Sequence, residues 1–290
     1  MHRAAESGHH QCIKLLLYLS DRKVNIQYKK EFAALHFAVR KGYSQCVQLL
    51  VQQHDIDVNL RTPDASNALL DAANNGFSER VESLLSHPKI DVNIKNGNSR
   101  TALHFAANNG KTLYIEELLN KDNIAINAQI TYDGVENPYT PLNLAAKNDH
   151  LKCLNILLEP SDIDVSLAGK DVMTPLHWVS KLARIPAMKR LLQHDTINVN
   201  AESSNGATPL HCAIESGNPS CVKILINRPD INVTIKAKSG PYIGATPFDY
   251  AIRTGKTECV GALWRHKDIN VNLRNDKNET LLEEVIPYGH

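Results

Sequence analysis

The sequence predicts an all-α repeat solenoid, and three observations predict it. First, a segment close to Thr-Pro-Leu-His recurs along the chain, its apolar third residue falling at Leu35, Leu69, Leu103, Leu142, Leu176, Leu210, Phe248 and Leu282. The steps are equal except for Leu103 to Leu142 and Leu210 to Phe248, which are longer by five and by four positions; Met1 lies one regular step before Leu35. Second, a glycine seven positions later closes most copies, at Gly42, Gly76, Gly110, Gly217 and Gly255. Third, apolar residues stand five, eight and nine positions after that glycine, the i, i+3, i+4 spacing of one helical stripe. A period of this size marks supersecondary units that cannot bury their apolar sides alone and must stack. Eight repeats and a partial ninth are readable in one array over 1–290, at about 1–27, 28–61, 62–95, 96–134, 135–168, 169–202, 203–240, 241–274 and 275–290.

The first helix of a repeat opens at Thr140-Pro141, Thr174-Pro175, Thr208-Pro209 or Thr246-Pro247. The hydroxyl accepts an orphan backbone N–H, and proline at the first helical position has none to leave unpaired. This helix is short and Ala-rich, as at Ala106-Ala107 and Ala145-Ala146, so a neighbour can approach closely. It ends at the glycine, where a left-handed residue costs least. The second helix carries the stripe: Val47, Leu50 and Val51, then Val81, Leu84 and Leu85, Ile115, Leu118 and Leu119, and Val222, Leu225 and Ile226. A Val-Asn pair (Val58-Asn59, Val92-Asn93, Val199-Asn200, Val271-Asn272) closes the repeat before a polar turn. Some positions depart from the pattern. Ala33 replaces the capping threonine and cannot cap, whereas Asn67 can; Leu70, Asn143 and Asp249 replace histidine; Asp149 and Ala183 replace glycine. Trp178-Val179-Ser180 and Pro186 make the sixth repeat the least regular, and a local distortion is expected there.

Leu-His-Phe-Ala-Ala-Asn-Asn-Gly (103–110), Thr-Pro-Leu-His-Cys-Ala-Ile-Glu-Ser-Gly (208–217) and Ser-Leu-Leu-Ser-His-Pro-Lys-Ile-Asp-Val-Asn (83–93) resemble the ankyrin repeat, over essentially the whole chain. The resemblance implies L-shaped units of paired antiparallel helices with a β-hairpin-like finger. Helix pairs stacked at roughly 10 Å would make an arc on the order of 80 Å long. It also implies a structural role for the periodic histidines, His2, His36, His104, His177 and His211, as hydrogen-bonders tying the turn to the first helix.

Thirteen His and six Cys raise the question of a metal or nucleophile site. Cys12, Cys46, Cys153, Cys221 and Cys259 each lie four positions after the glycine position, which suggests one small packing slot used five times. Equivalent positions roughly 10 Å apart lie beyond the ~7 Å Cα limit for a disulfide, in keeping with a reducing compartment. Cys212 beside His211 is the best nucleophile candidate, yet sequence neighbours on a helix point in different directions. No C-x-x-C, H-E-x-x-H, G-x-S-x-G, P-loop or dinucleotide motif is present, so no catalysis, cofactor or metal is expected. Phe37, Phe105, Trp178 and Tyr250 follow the Leu-His position; packing explains them better than base stacking, with Trp178 the expected exception.

A partner is expected on the non-periodic positions. In ankyrin repeats these are the two residues before the helix-ending glycine and the turn residues before Thr-Pro. The first set includes Asn108, Asn109, Lys147, Asn148, Lys181, Leu182 and Arg253, and the second Arg100, Met173 and Lys238. Basic and amide side chains prevail there, implying a mildly basic inner face suited to an acidic or extended protein segment. The two long steps place insertions at 129–139, with Tyr132 and Tyr139, and at 236–245, with Tyr242. These loops are expected to bracket a site over the fifth to seventh repeats with the tyrosines as anchors; tolerated variation in loop length is the plainer alternative.

The net charge of +1 gives no pull towards nucleic acid or membrane. The run 13–19 is too short to span a bilayer, and the first residues do not form a secretory leader. A monomeric, cytoplasmic, non-catalytic protein-binding scaffold is therefore expected. The alternative is a targeting arm whose catalytic domain lies outside this chain. The long His-Pro-x-Ile-Asp-Val-Asn turn resembles ankyrin proteins of intracellular bacteria and protists, including effectors acting in a host cytoplasm. Asn93, eight positions after Leu85, resembles a site of asparagine hydroxylation, although turn geometry also explains it.

Overall fold

The computed structural model describes residues 1–19, 24–28, 31–76, 78–131, 138–240 and 243–269, with the backbone alone described at 78–81. The chain divides into two compact bodies, Met1–Glu136 and Asn137–His290, and the division falls inside the first long insertion. All named elements among the described residues are helical, with isolated bridges at Tyr28–Phe32 and Ala237–Ile243.

The N-terminal body contains α1 (His2–Glu6), α2 (His10–Leu19), α3 (Ala34–Lys41), α4 (Ser44–Val51), α5 (Ala68–Asn75), α6 (Ser78–Leu85), α7 (Ala102–Asn108) and α8 (Thr112–Leu119). Each odd helix packs on the even helix that follows it, the odd helices stack on one another, and so do the even ones. The stacking buries the predicted stripe: Val47, Leu50, Leu84, Ile115 and Leu118 have essentially no exposure. The C-terminal body repeats this plan with α9 (Pro141–Lys147), α10 (Leu151–Leu157), α11 (Pro175–Lys181), α12 (Ile185–Leu191), α13 (Pro209–Ser216), α14 (Pro219–Ile226), α15 (Pro247–Arg253) and α16 (Thr257–Leu263).

The histidines hold the turns as the resemblance implies. In His36, His104, His177 and His211, Nδ1 accepts the backbone N–H of Ala33, Thr101, Thr174 and Thr208 at 3.1–3.2 Å. Nε2 therefore carries the proton, and it reaches the next turn, at Leu60 O (2.9 Å), Ala207 O (3.1 Å) and Ala245 O (3.2 Å) for His36, His177 and His211. Where histidine is missing, Asn143 Nδ2 donates to Thr140 Oγ1 (2.9 Å) and Leu167 O (2.8 Å), and Asp249 Oδ2 accepts from Thr246 N (2.9 Å). Ala33 makes no side-chain cap, while Asn67 accepts from Leu70 N at 2.9 Å.

The fingers are tight turns, not paired strands. Thr62 N–Ser66 O (2.9 Å), Asn96 N–Arg100 O (3.0 Å), Gly169 N–Met173 O (2.7 Å) and Ser203 N–Ala207 O (2.9 Å) close them. The fourth residue of each turn is left-handed: Ala65, Ser99, Val172 and Gly206, at φ 57, 56, 57 and 75°. Neighbouring fingers are joined by Asp64 O–Gly97 N, Asp171 O–Ser204 N and Asn205 O–Lys238 N. The second insertion lies at a finger tip, since Ala237 N still closes on Ala245 O at 3.1 Å.

The sixth repeat differs from the sequence expectation. Its helices α11 and α12 form like the others, because Pro186 sits in the first turn of α12, where no N–H is needed. The distortion lies in its finger, where Asp171 and Val172 both have positive φ. Cys12 is also a correction. It is exposed, whereas Cys46, Cys153, Cys221 and Cys259 are buried; α2 is the first helix of its row, packing on α1 and α4 with no even helix before it.

Candidate partner-binding surface

The site follows from three repeat positions that meet: the side chain before the N-cap, the residue two before the helix-ending turn, and the residue after the histidine position in the following repeat. In the C-terminal body these are Tyr139, Lys147 and Trp178. Lys147 Nζ donates to Tyr139 Oη (3.0 Å) and lies 4.7 Å from the Tyr139 ring centroid and 5.1 Å from that of Trp178. The two rings are 6.4 Å apart, and all three side chains are half-buried. Gly169 makes room for Tyr139, since a Cβ there would stand 2.7 Å from Tyr139 Cδ1. Two faces on one ammonium contribute about 0.5–2 kcal/mol each, the upper figure only when desolvated. Among the described residues no carboxylate pairs with Lys147, and the Trp178 indole N–H is buried without an acceptor.

The N-terminal body builds the same triangle at the matching repeat positions, from Phe32, Arg40 and Asp71. The Arg40 guanidinium lies 4.3 Å over the Phe32 ring, and its Nε donates to Asp71 Oδ2 at 2.6 Å. Ser66 Oγ adds a bond to Asp71 Oδ1 at 3.1 Å. Here the third corner is a carboxylate, and the cation is satisfied within the fold.

Other expected contact residues are scattered in their roles. Two of the expected basic positions carry counter-ions, Lys181 pairing with Glu215 (3.3 Å) and Lys238 with Glu202 (2.6 Å), and Arg184 pairs with Asp149 (3.2 Å). Asn148 is exposed and Leu182 is 37% exposed, while Arg253 is half-buried. Met173, at 7%, is buried and offers a partner little surface. In the N-terminal body Arg100 lies 5.8 Å from the Phe105 ring centroid, Asn108 donates to Asn109, and Asn109 donates to Asn74 O. Tyr132 and Tyr242 lie outside the described residues.

Asn93 belongs to a ladder, and the expected local turn role is incomplete. Its Nδ2 donates to Asn123 O (2.7 Å) and its Oδ1 accepts from Ala125 N (2.8 Å), both in the next repeat. Asn25, Asn59 and Asn200 make the same two bonds one repeat onward. This asparagine side chain ties neighbours together; the local bond is made by its backbone N–H, which donates to Asp91 Oδ1 at 2.9 Å.

Burial lowers the pKa of His36 and His211 and takes His177 down to about 4, against the raising effect of the carbonyls they bond. Burial pushes the Cys212 thiol up to about 12 and Cys153 to about 11. His211 has both nitrogens committed, Nδ1 to Thr208 and Nε2 to Ala245 O, so it does not serve Cys212 as a base. Among the described residues no group of three or more His, Cys, Asp or Glu could hold a metal, and no helix is long and apolar enough to cross a membrane. Reading along the sequence missed the counter-ions and the triangle, because its corners lie on two repeats. A single constant offset carries Phe32, Arg40 and Asp71 onto Tyr139, Lys147 and Trp178, and that correspondence is the signal that would have found it.

Within each body, stacked helix pairs with histidine-tied turns and linked fingers define a helical repeat protein. The family models are specific: one for three copies of ankyrin repeats matches residues 1–96, 69–168 and 161–237, and one for a single ankyrin repeat matches 243–276. The chain belongs to the ankyrin repeat family. It is similar in fold to the crystal structure of the ankyrin repeat domain of Bcl-3, "a unique member of the IkappaB protein family", with a TM-score of 0.64 and 22% identity over 77% of this chain and 96% of that one. No curated protein sequence matches it significantly.

Proposed function

We propose that this chain is a non-catalytic scaffold that holds a partner protein on the inner surface of its C-terminal body, with Tyr139 and Trp178 as anchors. The observation that supports this most is the composition of that triangle. Two half-buried rings and a lysine occupy corners that the stack does not need, since the N-terminal body fills them with a closed ion pair. Aromatic anchors of this kind dominate many interfaces, because their area is large and few rotamers are lost on binding. Asn148 and Leu182 would extend the contact along an extended, acidic segment. In the effector reading suggested by the His87–Asn93 turn, the partner is a host cytoplasmic protein.

A photo-crosslinking residue at Asn148, on the inner side, should capture a partner that the same residue at exposed Lys152 of α10 does not. The double variant Tyr139→Ala/Trp178→Ala should abolish that capture. Equal capture at both positions, or capture indifferent to the double variant, would refute the reading. Fusion of the same surface to a catalytic domain, the targeting-arm alternative, would leave these results unchanged and show itself only as activity in a longer chain.

A further inference from the structure

We infer that Lys147 is a carboxylate receptor: the subsite it forms with Tyr139 and Trp178 takes an aspartate or glutamate side chain of the bound segment. This inference rests on the proposed inner-surface binding and assigns its specificity to a single position.

The fold itself shows what this position takes. At the equivalent corner of the N-terminal body, Arg40 stacks on Phe32 and receives the Asp71 carboxylate at 2.6 Å. At Lys147 the cation and the ring before the cap are retained, but the corner that would supply the carboxylate is Trp178. An ammonium has three N–H donors and no acceptor; one donates to Tyr139 Oη. Trp178 offers no carboxylate at this corner, and its indole N–H is buried, so the ammonium alone faces the incoming group. A carboxylate is acceptor-only, with two oxygens, and so suits the ammonium donors that Tyr139 leaves over.

Neighbouring cations do not compete for it. Lys181, Arg184 and Lys238 each have a carboxylate partner, so acidic specificity is not spread over a basic face. The rings flank the ammonium at 4.7 and 5.1 Å, which reduces the rotamer freedom lost when an anion arrives.

The test uses the full chain and fluorescein-labelled tetrapeptides of glutamate, glutamine and phosphoserine, followed by fluorescence anisotropy at low salt. The glutamate peptide should bind at least about tenfold more tightly than the glutamine peptide, the difference expected for a hydrogen bond to a charged group. Lys147→Met keeps the apolar stem between the rings and should abolish that preference, while Lys147→Arg should retain it. Trp178→Asp should abolish it too, by supplying the carboxylate internally, and circular dichroism checks that each variant keeps its helices. An undiminished preference in Lys147→Met, equal binding of the glutamine peptide, or no binding of the glutamate peptide overturns the inference. Preference for phosphoserine over glutamate overturns it as well, in favour of a phosphate receptor. If crosslinking at Asn148 still depends on Tyr139 and Trp178 while Lys147→Met changes nothing, the carboxylate inference fails and the interaction surface stands.

Discussion

Arg40 and Lys147 occupy the same repeat position, each beside the aromatic residue that precedes the N-cap, yet their third neighbours differ. Asp71 closes the first triangle, where Arg40 is 35% and Asp71 11% exposed at the side chain. Trp178 leaves the second without an anion among the described residues. A half-buried guanidinium with a bidentate carboxylate partner contributes to holding neighbouring repeats. A lysine between two rings gives up part of that stability and keeps a charge available. The same three corners thus join neighbouring repeats in one body and, in the proposed function, receive a partner in the other.

The largest expected effect concerns the histidines that both bodies share. His177 has a folded pKa of about 4 against 6.5 unfolded. The unfolded chain therefore binds more protons between those values, and stability falls as pH drops from 6.5 towards 4. The loss is about 3 kcal/mol for this group, with His36 and His211 adding in the same direction. Urea midpoints at pH 7.5 and pH 4.5 should show it, and a flat profile would mean the imidazoles are not neutral in the fold.

Next in size is Gly206→Ala. Gly206 has φ 75°, and an added Cβ would stand 2.7 Å from the Lys238 backbone nitrogen of the next finger. Alanine should cost about 1–3 kcal/mol in chemical unfolding. A loss this large on a finger would show that the linked turns, and not only the helices, stabilise the C-terminal body. The least perturbing experiment is iodoacetamide labelling at pH 7.5. Cys12 is exposed and should react first, while Cys153 and Cys212, with thiols pushed up to about 11 and 12, should react only on unfolding. Simultaneous labelling of all six would contradict the packed slot.

Much of this fold is legible in one dimension because its interactions recur. The Thr-Pro cap, the histidine three positions later and the i, i+3, i+4 stripe each follow from local chemistry repeated at every step of the period. The site is less so. Tyr139 and Lys147 are expected contacts, and Trp178 stands out from the packing stripe, but that they form one cluster depends on how the next repeat settles on the first. Met173 sits between exposed Val172 and the cap and still turns inward, which a position rule based on turns does not foresee. The asparagine ladder is hidden for a similar reason, because a side chain suited to its own turn is used by the neighbour's.

The contrast between the triangles is tested most directly by denaturing Asp71→Ala and Lys147→Met side by side and following crosslinking from Asn148 in both. Asp71→Ala strands a half-buried guanidinium and should cost about 1–2 kcal/mol with capture unchanged. Lys147→Met should stay within about 0.5 kcal/mol of the parent and lose capture. The reverse pattern, a stable Asp71→Ala beside a destabilised Lys147→Met that still captures its partner, would contradict the division of labour between the two bodies.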